Sequence, residues 1–240
     1  MDFFERLKGV MKPLTFLLLV VISLSCNPVG ELIHSEEVLQ WEPDIVLFDS
    51  LNAVEQAGPE TILVTGSSSV RLWDSIHTDL APYEVMQRGY GGARLTDFNH
   101  YAGRIIPPGP FKAILVFVAN DISGGDNDRT QKEVVMLFKT LTGQVRERNP
   151  GTPLFWIETT PTPSRWHAID QIREANERIS RYCEKQPDLF FIPTADIFTG
   201  EDQLPDSTWF RNDMLHLNRE GYLIWSERIK EVLREEGISP

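Results

Sequence analysis

The amino-acid sequence predicts an α/β domain, a three-layer αβα sandwich around a central parallel sheet of about five strands. Two patterns carry that expectation. Five short apolar runs rich in β-branched and aromatic residues, 61–65, 84–87, 113–118, 153–158 and 189–193, read as strands. Between them lie stretches with helical spacing. Val134, Leu137, Phe138, Leu141 and Val145 fall on one helix face, as do Tyr222, Trp225, Ile229 and Leu233 after Asn218, a residue suited to cap a helix. Residues 165–185 form a third long helical pattern, and residues 44–56 a helix ahead of the first strand. Strands that alternate with helices imply a parallel sheet covered on both faces. Residues 41–240 hold no repeat, low-complexity tract or linker and are expected to form one domain.

Composition narrows the function. The 240 residues are 41% hydrophobic and 24% charged, which suits a packed globular domain rather than a disordered one. With 23 Lys+Arg against 35 Asp+Glu, the net charge is −12, and such a surface repels nucleic acid. Two cysteines, Cys26 and Cys183, support neither a disulfide framework nor a Cys-rich zinc site. Cys183 lies in a helical stretch and reads as a small buried apolar residue.

The N-terminus reads as an address. Lys8 and Lys12 precede an apolar run over residues 14–25, too short for a hydrocarbon core that takes about 20 residues of helix. A basic flank, a short apolar run and small residues at its end match a secretory signal. Cys26 follows directly, so residues 1–25 resemble a bacterial lipoprotein signal, which implies lipidation at Cys26 and export to the cell envelope. Ser23 stands where such signals usually carry Leu, and Met11 offers a second start site. A secreted or periplasmic soluble protein with an incidental cysteine is the alternative. Residues 26–40 then read as a tether, leaving residues 41–240 as the domain. Contact with a membrane is expected only through the lipid.

In an open parallel sheet, ligands bind beyond the carboxyl ends of the strands. After the first strand comes Gly66-Ser67-Ser68-Ser69, after the second Gln87-Arg88-Gly89-Tyr90-Gly91-Gly92, and after the third Asn120-Asp121. Asp213-Met214-Leu215-His216 precedes the last helix. Together they offer a hydroxyl nucleophile, backbone donors, an amide and a carboxylate–imidazole pair, the inventory for acyl transfer through serine. Asp-x-x-His also occurs as Asp74…His77 and Asp97…His100. His77 is expected nine residues beyond Ser68 on one helix, about 13 Å of rise away, and His100 inside the helix after the second strand. Only His216 falls in a loop at a helix entrance.

The order and placement of these four pieces resembles the SGNH/GDSL hydrolase superfamily over residues 41–235. Residues 61–73 look like its first block, with Gly66-Ser67-Ser68 for the usual Gly-Asp-Ser. Arg88-Gly89-Tyr90-Gly91-Gly92 is similar to the second block, Ala119-Asn120-Asp121 to the third and Asp213-x-x-His216 to the last. The resemblance implies a flavodoxin-like sheet with Ser68 as nucleophile, His216 as base and then acid, and Asp213 as the group that orients the imidazole. It also implies an oxyanion hole of the Ser68 N–H, the Gly92 N–H and the Asn120 amide. Among the adjacent serines the alignment favours Ser68, with Ser67 or Ser69 as helix cap. Val118 and Gln87 stand where the family often has Gly and Asn, and Val118 puts the shape of the oxyanion loop in question.

The resemblance implies a serine esterase acting, without metal or organic cofactor, on a small acyl ester, with an acetyl group on a carbohydrate as the substrate suggested by analogy. A non-catalytic carbohydrate-binding lipoprotein on the same fold and an acyltransferase using the same residues are the alternatives. Tyr90, Trp166 and Trp209 are candidates for a substrate wall, whereas Trp73 is expected in the core. Residues 124–128 are rich in Gly and Asp, but their acids miss the EF-hand spacing and read as a solvated turn.

Overall fold

A computed structural model describes residues 28–240. The signal segment 1–25 and the expected lipidation site Cys26 lie outside the described residues. Five parallel strands, β1 (Thr61–Gly66), β2 (Glu84–Gly89), β3 (Ala113–Phe117), β4 (Leu154–Ile157) and β5 (Leu189–Ile192), form one sheet in the order β2-β1-β3-β4-β5. The expected runs match these strands to within two residues at each end. Helices cover both faces, so the three-layer αβα expectation holds.

Alternation along the strands feeds two cores. Leu63, Ile114, Val116, Leu154 and Trp156 face one side, against the helices Glu42–Val54, Gln131–Arg148 and Ile169–Cys183. Ile62, Val64, Leu115, Phe117 and Phe155 face the other, against Trp73 and the helix Arg219–Glu235. Trp73 is wholly buried there, with its ring 5.3 Å from Tyr222 and 5.1 Å from Trp225. Asn218 caps the last helix by accepting from the Gly221 N–H, and Thr130 with Glu133 forms a capping box at Gln131–Arg148. Cys183 is buried, and burial pushes its thiol up to about 12, which leaves it an inert packing group.

Three sequence expectations differ. Residues 28–40 are not a loose tether. They form a helix over Pro28–Ile33 and a 3-10 turn over Glu36–Trp41, with Val38 buried and Ile33 and Trp41 packed on the core. The pattern 165–185 is not one helix but a 3-10 turn, Pro163–Ala168, leading into Ile169–Cys183. The helix after β1 stops at Arg71 and a separate turn spans Ile76–Asp79, so Ser68 and His77 do not share a helix.

One buried charge fastens this region. Asp79, with a side chain 1% exposed, accepts from Trp73 Nε1 at 2.8 Å, Ser75 Oγ at 2.8 Å and the Arg219 guanidinium. Burial opposes its ionisation, but those donors outweigh it and hold the carboxyl below the usual range. Asp79→Ala would strand the buried Trp73 indole N–H, whereas the half-exposed Arg219 guanidinium would turn to water. Urea unfolding should show a loss of about 1–3 kcal/mol. Because the folded pKa is depressed, the contribution of Asp79 is present at neutral pH and fades as the carboxyl protonates in acid, so the gap between wild type and Asp79→Ala should narrow there.

Candidate active site

β1 and β3 are neighbours, yet the chain leaves β1 for β2 on one side and returns to β3 on the other, which opens a crevice at their carboxyl ends. Gly66 ends β1 with φ +147°, and a Cβ there would lie 1.9 Å from the Phe117 carbonyl oxygen. That close approach lets the Ser67 N–H donate to Phe117 O at 2.8 Å and turns the chain into the short helix Ser68–Arg71. Ser67 takes the cap position without a side-chain capping bond and is buried. Of the three adjacent serines, Ser68 presents its hydroxyl to an imidazole, with Oγ 2.9 Å from His216 Nε2.

The last loop supplies that ring. Phe210 and Leu217 form an antiparallel bridge, and the Arg211 N–H donates to His216 O at 2.7 Å, so the loop is pinched at its base. Met214 adopts φ +55°, a left-handed turn that brings Asp213 back towards His216. Asp213 Oδ2 lies 2.7 Å from His216 Nδ1, while Oδ1 accepts from the Leu215 and His216 N–H groups at 2.9 Å each. Partial burial alone would raise the Asp213 pKa, but the His216 ring and the two N–H donors bring it down to about 2. The carboxylate therefore stays ionised at working pH and fixes the proton on Nδ1, leaving Nε2 free to accept from Ser68.

Ser68, Asn120 and His216 line one small cleft, open to solvent, together with Thr160, Thr162 and Arg165. Asn120 Nδ2 donates to Ala93 O at 2.8 Å, which sets the Gly91–Ala93 turn beside the amide. Gly92 has φ +74°, and a Cβ there would sit 2.9 Å from the Trp41 ring. Gly92, expected in the oxyanion hole, does not line the Ser68 cavity but a separate groove with Trp41 and Arg94. Among the described residues, the Ser68 and Gly92 N–H groups have no hydrogen-bond acceptor. Val118 is buried in the core, and the loop after it still brings Asn120 to the cavity.

Two buried acids hold the second and third blocks together. Asp121 accepts from the Leu95 N–H with both oxygens, and Asp97 accepts from the Tyr90 hydroxyl at 2.8 Å. Burial raises Asp121 to about 7 and Asp97 to about 6. Tyr90 is consequently a core residue and not a substrate wall. Trp166 is engaged by Arg173, 5.1 Å from its ring, and neither Trp166 nor Trp209 lines the cavity. Of the other histidines, His100 Nδ1 meets Ile33 O at 2.8 Å, far from this chemistry.

Arg165 was absent from the expected set. It reaches the cavity from the 3-10 turn after β4, a strand end to which the carboxyl-edge rule applies as it does to the others. Among the described residues no cluster of His, Cys, Asp and Glu could hold a metal ion.

Residues 54–224 match the family profile described as GDSL-like Lipase/Acylhydrolase. A comparison with curated proteins finds no significant match. Solved structures share the fold at low identity. A Streptococcus pneumoniae protein assigned provisionally as a platelet activating factor aligns at TM-score 0.73 and 18% identity, over 86% of this chain and 99% of its own. A GDSL-like lipase from Bacteroides thetaiotaomicron gives 0.65 and 16%, over 86% and 100%. A carbohydrate esterase family 3 protein from Talaromyces cellulolyticus gives 0.55 and 15%, over 73% and 97%.

The close approach at Gly66 is testable. Gly66→Ala would drive a methyl into the Phe117 carbonyl, with backbone on both sides unable to yield. Loss of at least about 3 kcal/mol in denaturant unfolding, or failure to fold, is expected.

Proposed function

The chain belongs to the GDSL-like lipase/acylhydrolase family, a family of hydrolases acting on esters, and we propose from its site geometry that it is a serine esterase working through Ser68, His216 and Asp213. The observation that carries the reading is the continuous chain Ser68 Oγ–His216 Nε2 and His216 Nδ1–Asp213 Oδ2, at 2.9 and 2.7 Å. As Ser68 Oγ bonds to the acyl carbon, its proton passes to His216 Nε2. The imidazolium, stabilised by ionised Asp213, then protonates the departing alcohol oxygen. Water attacks the resulting acyl-serine by the same route, giving the carboxylic acid and free Ser68.

The negative charge on the tetrahedral oxygen falls to the Ser68 N–H and the Asn120 amide, whereas the Gly92 N–H, expected as a third donor, belongs to a turn outside the Ser68 cavity. The Ser68 N–H has no protein acceptor to surrender, and the Asn120 amide keeps a second hydrogen beyond the one given to Ala93 O. The substrate is a small acyl ester. An acetyl group on a carbohydrate is suggested by the fold shared with a carbohydrate esterase. The reaction as written draws on no metal or organic cofactor. Export with lipid attachment at Cys26 remains part of the reading, tested by the mass of the N-terminal peptide from membrane fractions.

Ser68→Ala should lower kcat/KM for p-nitrophenyl acetate by about 10⁴-fold with the fold intact. A serine-directed phosphonate should label wild type at Ser68 and not this variant. Equal rates from both proteins would remove the proposal. The acid limb of kcat/KM should fall about tenfold per pH unit, a single proton, because Asp213 stays ionised down to about pH 2 while His216 must be neutral to accept from Ser68. A limb of slope two between pH 4 and 6 would show that a carboxylate titrates with the imidazole.

A further inference from the structure

We infer that Arg165 is a positioning residue, one that orients the Asn120 amide for the oxyanion. The guanidinium donates from one terminal nitrogen to Ala119 O and from the other, at 2.6 Å, to Asn120 Oδ1. Both acceptors belong to the segment just after β3 that carries the amide. Arginine has donors and no acceptor, so the atom of Asn120 that faces it is the oxygen. Ala93 O is an acceptor, so the atom that faces it is Nδ2, at 2.8 Å. The two neighbours independently impose the same orientation. Rotating the amide by 180° would set an NH2 group against a guanidinium and an oxygen against a carbonyl, four groups mispaired at once.

This clamp bears on the departure at Val118. A glycine at that position leaves the loop backbone free to follow a neighbouring strand closely, whereas Val118 fixes the loop by burying its side chain. The remaining freedom is in Ala119 and Asn120, the two residues that Arg165 holds. Among the described residues no carboxylate pairs with Arg165. Its hydrogen bonds go to two carbonyl oxygens, while the Asp128 and Asp121 carboxylates act on the charge only through space. Withdrawing electrons through Oδ1 makes the Asn120 N–H a stronger donor, a cooperative effect of chained hydrogen bonds.

The inference rests on Asn120 being an oxyanion donor, and a double-mutant cycle separates the two claims. Asn120→Ala should lower kcat for p-nitrophenyl acetate about 100-fold with little change in KM. Arg165→Lys keeps the charge but replaces two nitrogens held in a planar fork by one rotatable ammonium on a shorter stem, and should lower kcat about tenfold, again with KM nearly unmoved. Arg165→Gln should cost more. In the Asn120→Ala background, either Arg165 substitution should change kcat by less than about twofold. Additive losses, or a loss carried mainly in KM, would overturn the inference and mark Arg165 as a contact to substrate. Full activity in Asn120→Ala would instead overturn the oxyanion assignment. Thermal midpoints and phosphonate labelling at Ser68 monitor folding, and an Arg165→Lys protein with wild-type kcat would also refute the clamp.

Discussion

The hydrogen bond from the Ser67 N–H to the Phe117 carbonyl ties the end of β1 to the end of β3, and the site is organised around it. It exists because residue 66 has no side chain, since a Cβ would overlap the Phe117 carbonyl. With the strands drawn together there, the turn after β1 delivers Ser68 and the loop after β3 delivers Asn120 to a single cavity. Neither loop has a long path of its own along which to drift. The order β2-β1-β3 then supplies the open end into which both loops project.

Loops alone are soft, and each one here is fastened by a polar group taken out of water. Asp121 grips the Leu95 N–H, Asp97 the Tyr90 hydroxyl, and Asp79 the Trp73 indole and Arg219. The Tyr222 hydroxyl donates to Ser69 O, so the C-terminal helix bears directly on the turn of the nucleophile. Buried carboxylates that hold backbone donors cost desolvation but have few alternative partners, which makes each loop geometry well defined. The raised pKa values of Asp97 and Asp121 record that desolvation and have this structural cause, without a share in the chemistry.

The sheet was legible because its central strands β1, β3 and β4 are buried throughout and so appear as nearly unbroken apolar runs, and the last helix because Tyr222, Trp225, Ile229 and Leu233 keep a strict helical spacing. The four motif loops were legible because short polar signatures sit directly at strand ends. What escaped is what depends on tertiary partners. The segment 28–40 has Pro28, Gly30 and charges typical of a linker, yet Ile33 and Val38 bury against the core and Trp41 covers Gly92. Tyr90, Trp166 and Trp209 carry aromatic rings that a sequence cannot aim, and none of the three lines the cavity: Tyr90 packs in the core and Arg173 lies over the Trp166 ring. Arg165 falls in the helical pattern 165–185 by spacing, although the chain takes a 3-10 turn over Pro163–Ala168, with Pro163 at its start, before the helix begins at Ile169.

Across the cavity the charges are laid out along the direction in which the proposed reaction moves them. Ionised Asp213 stands behind the imidazole, where positive charge arrives with the serine proton. Arg165 stands behind the Asn120 amide, on the side of the donors proposed to receive negative charge from the acyl oxygen. Neither charge touches the reacting atoms; each acts through one neutral hydrogen-bonding group that it also orients. Such an arrangement is fixed before substrate enters, so little solvent or protein has to reorganise as the tetrahedral species forms. It also explains how a chain of net charge −12 can present a site suited to a developing anion. Asp213 and Arg165 act locally, through His216 and Asn120, while the acidic exterior is screened by water and salt over about 10 Å.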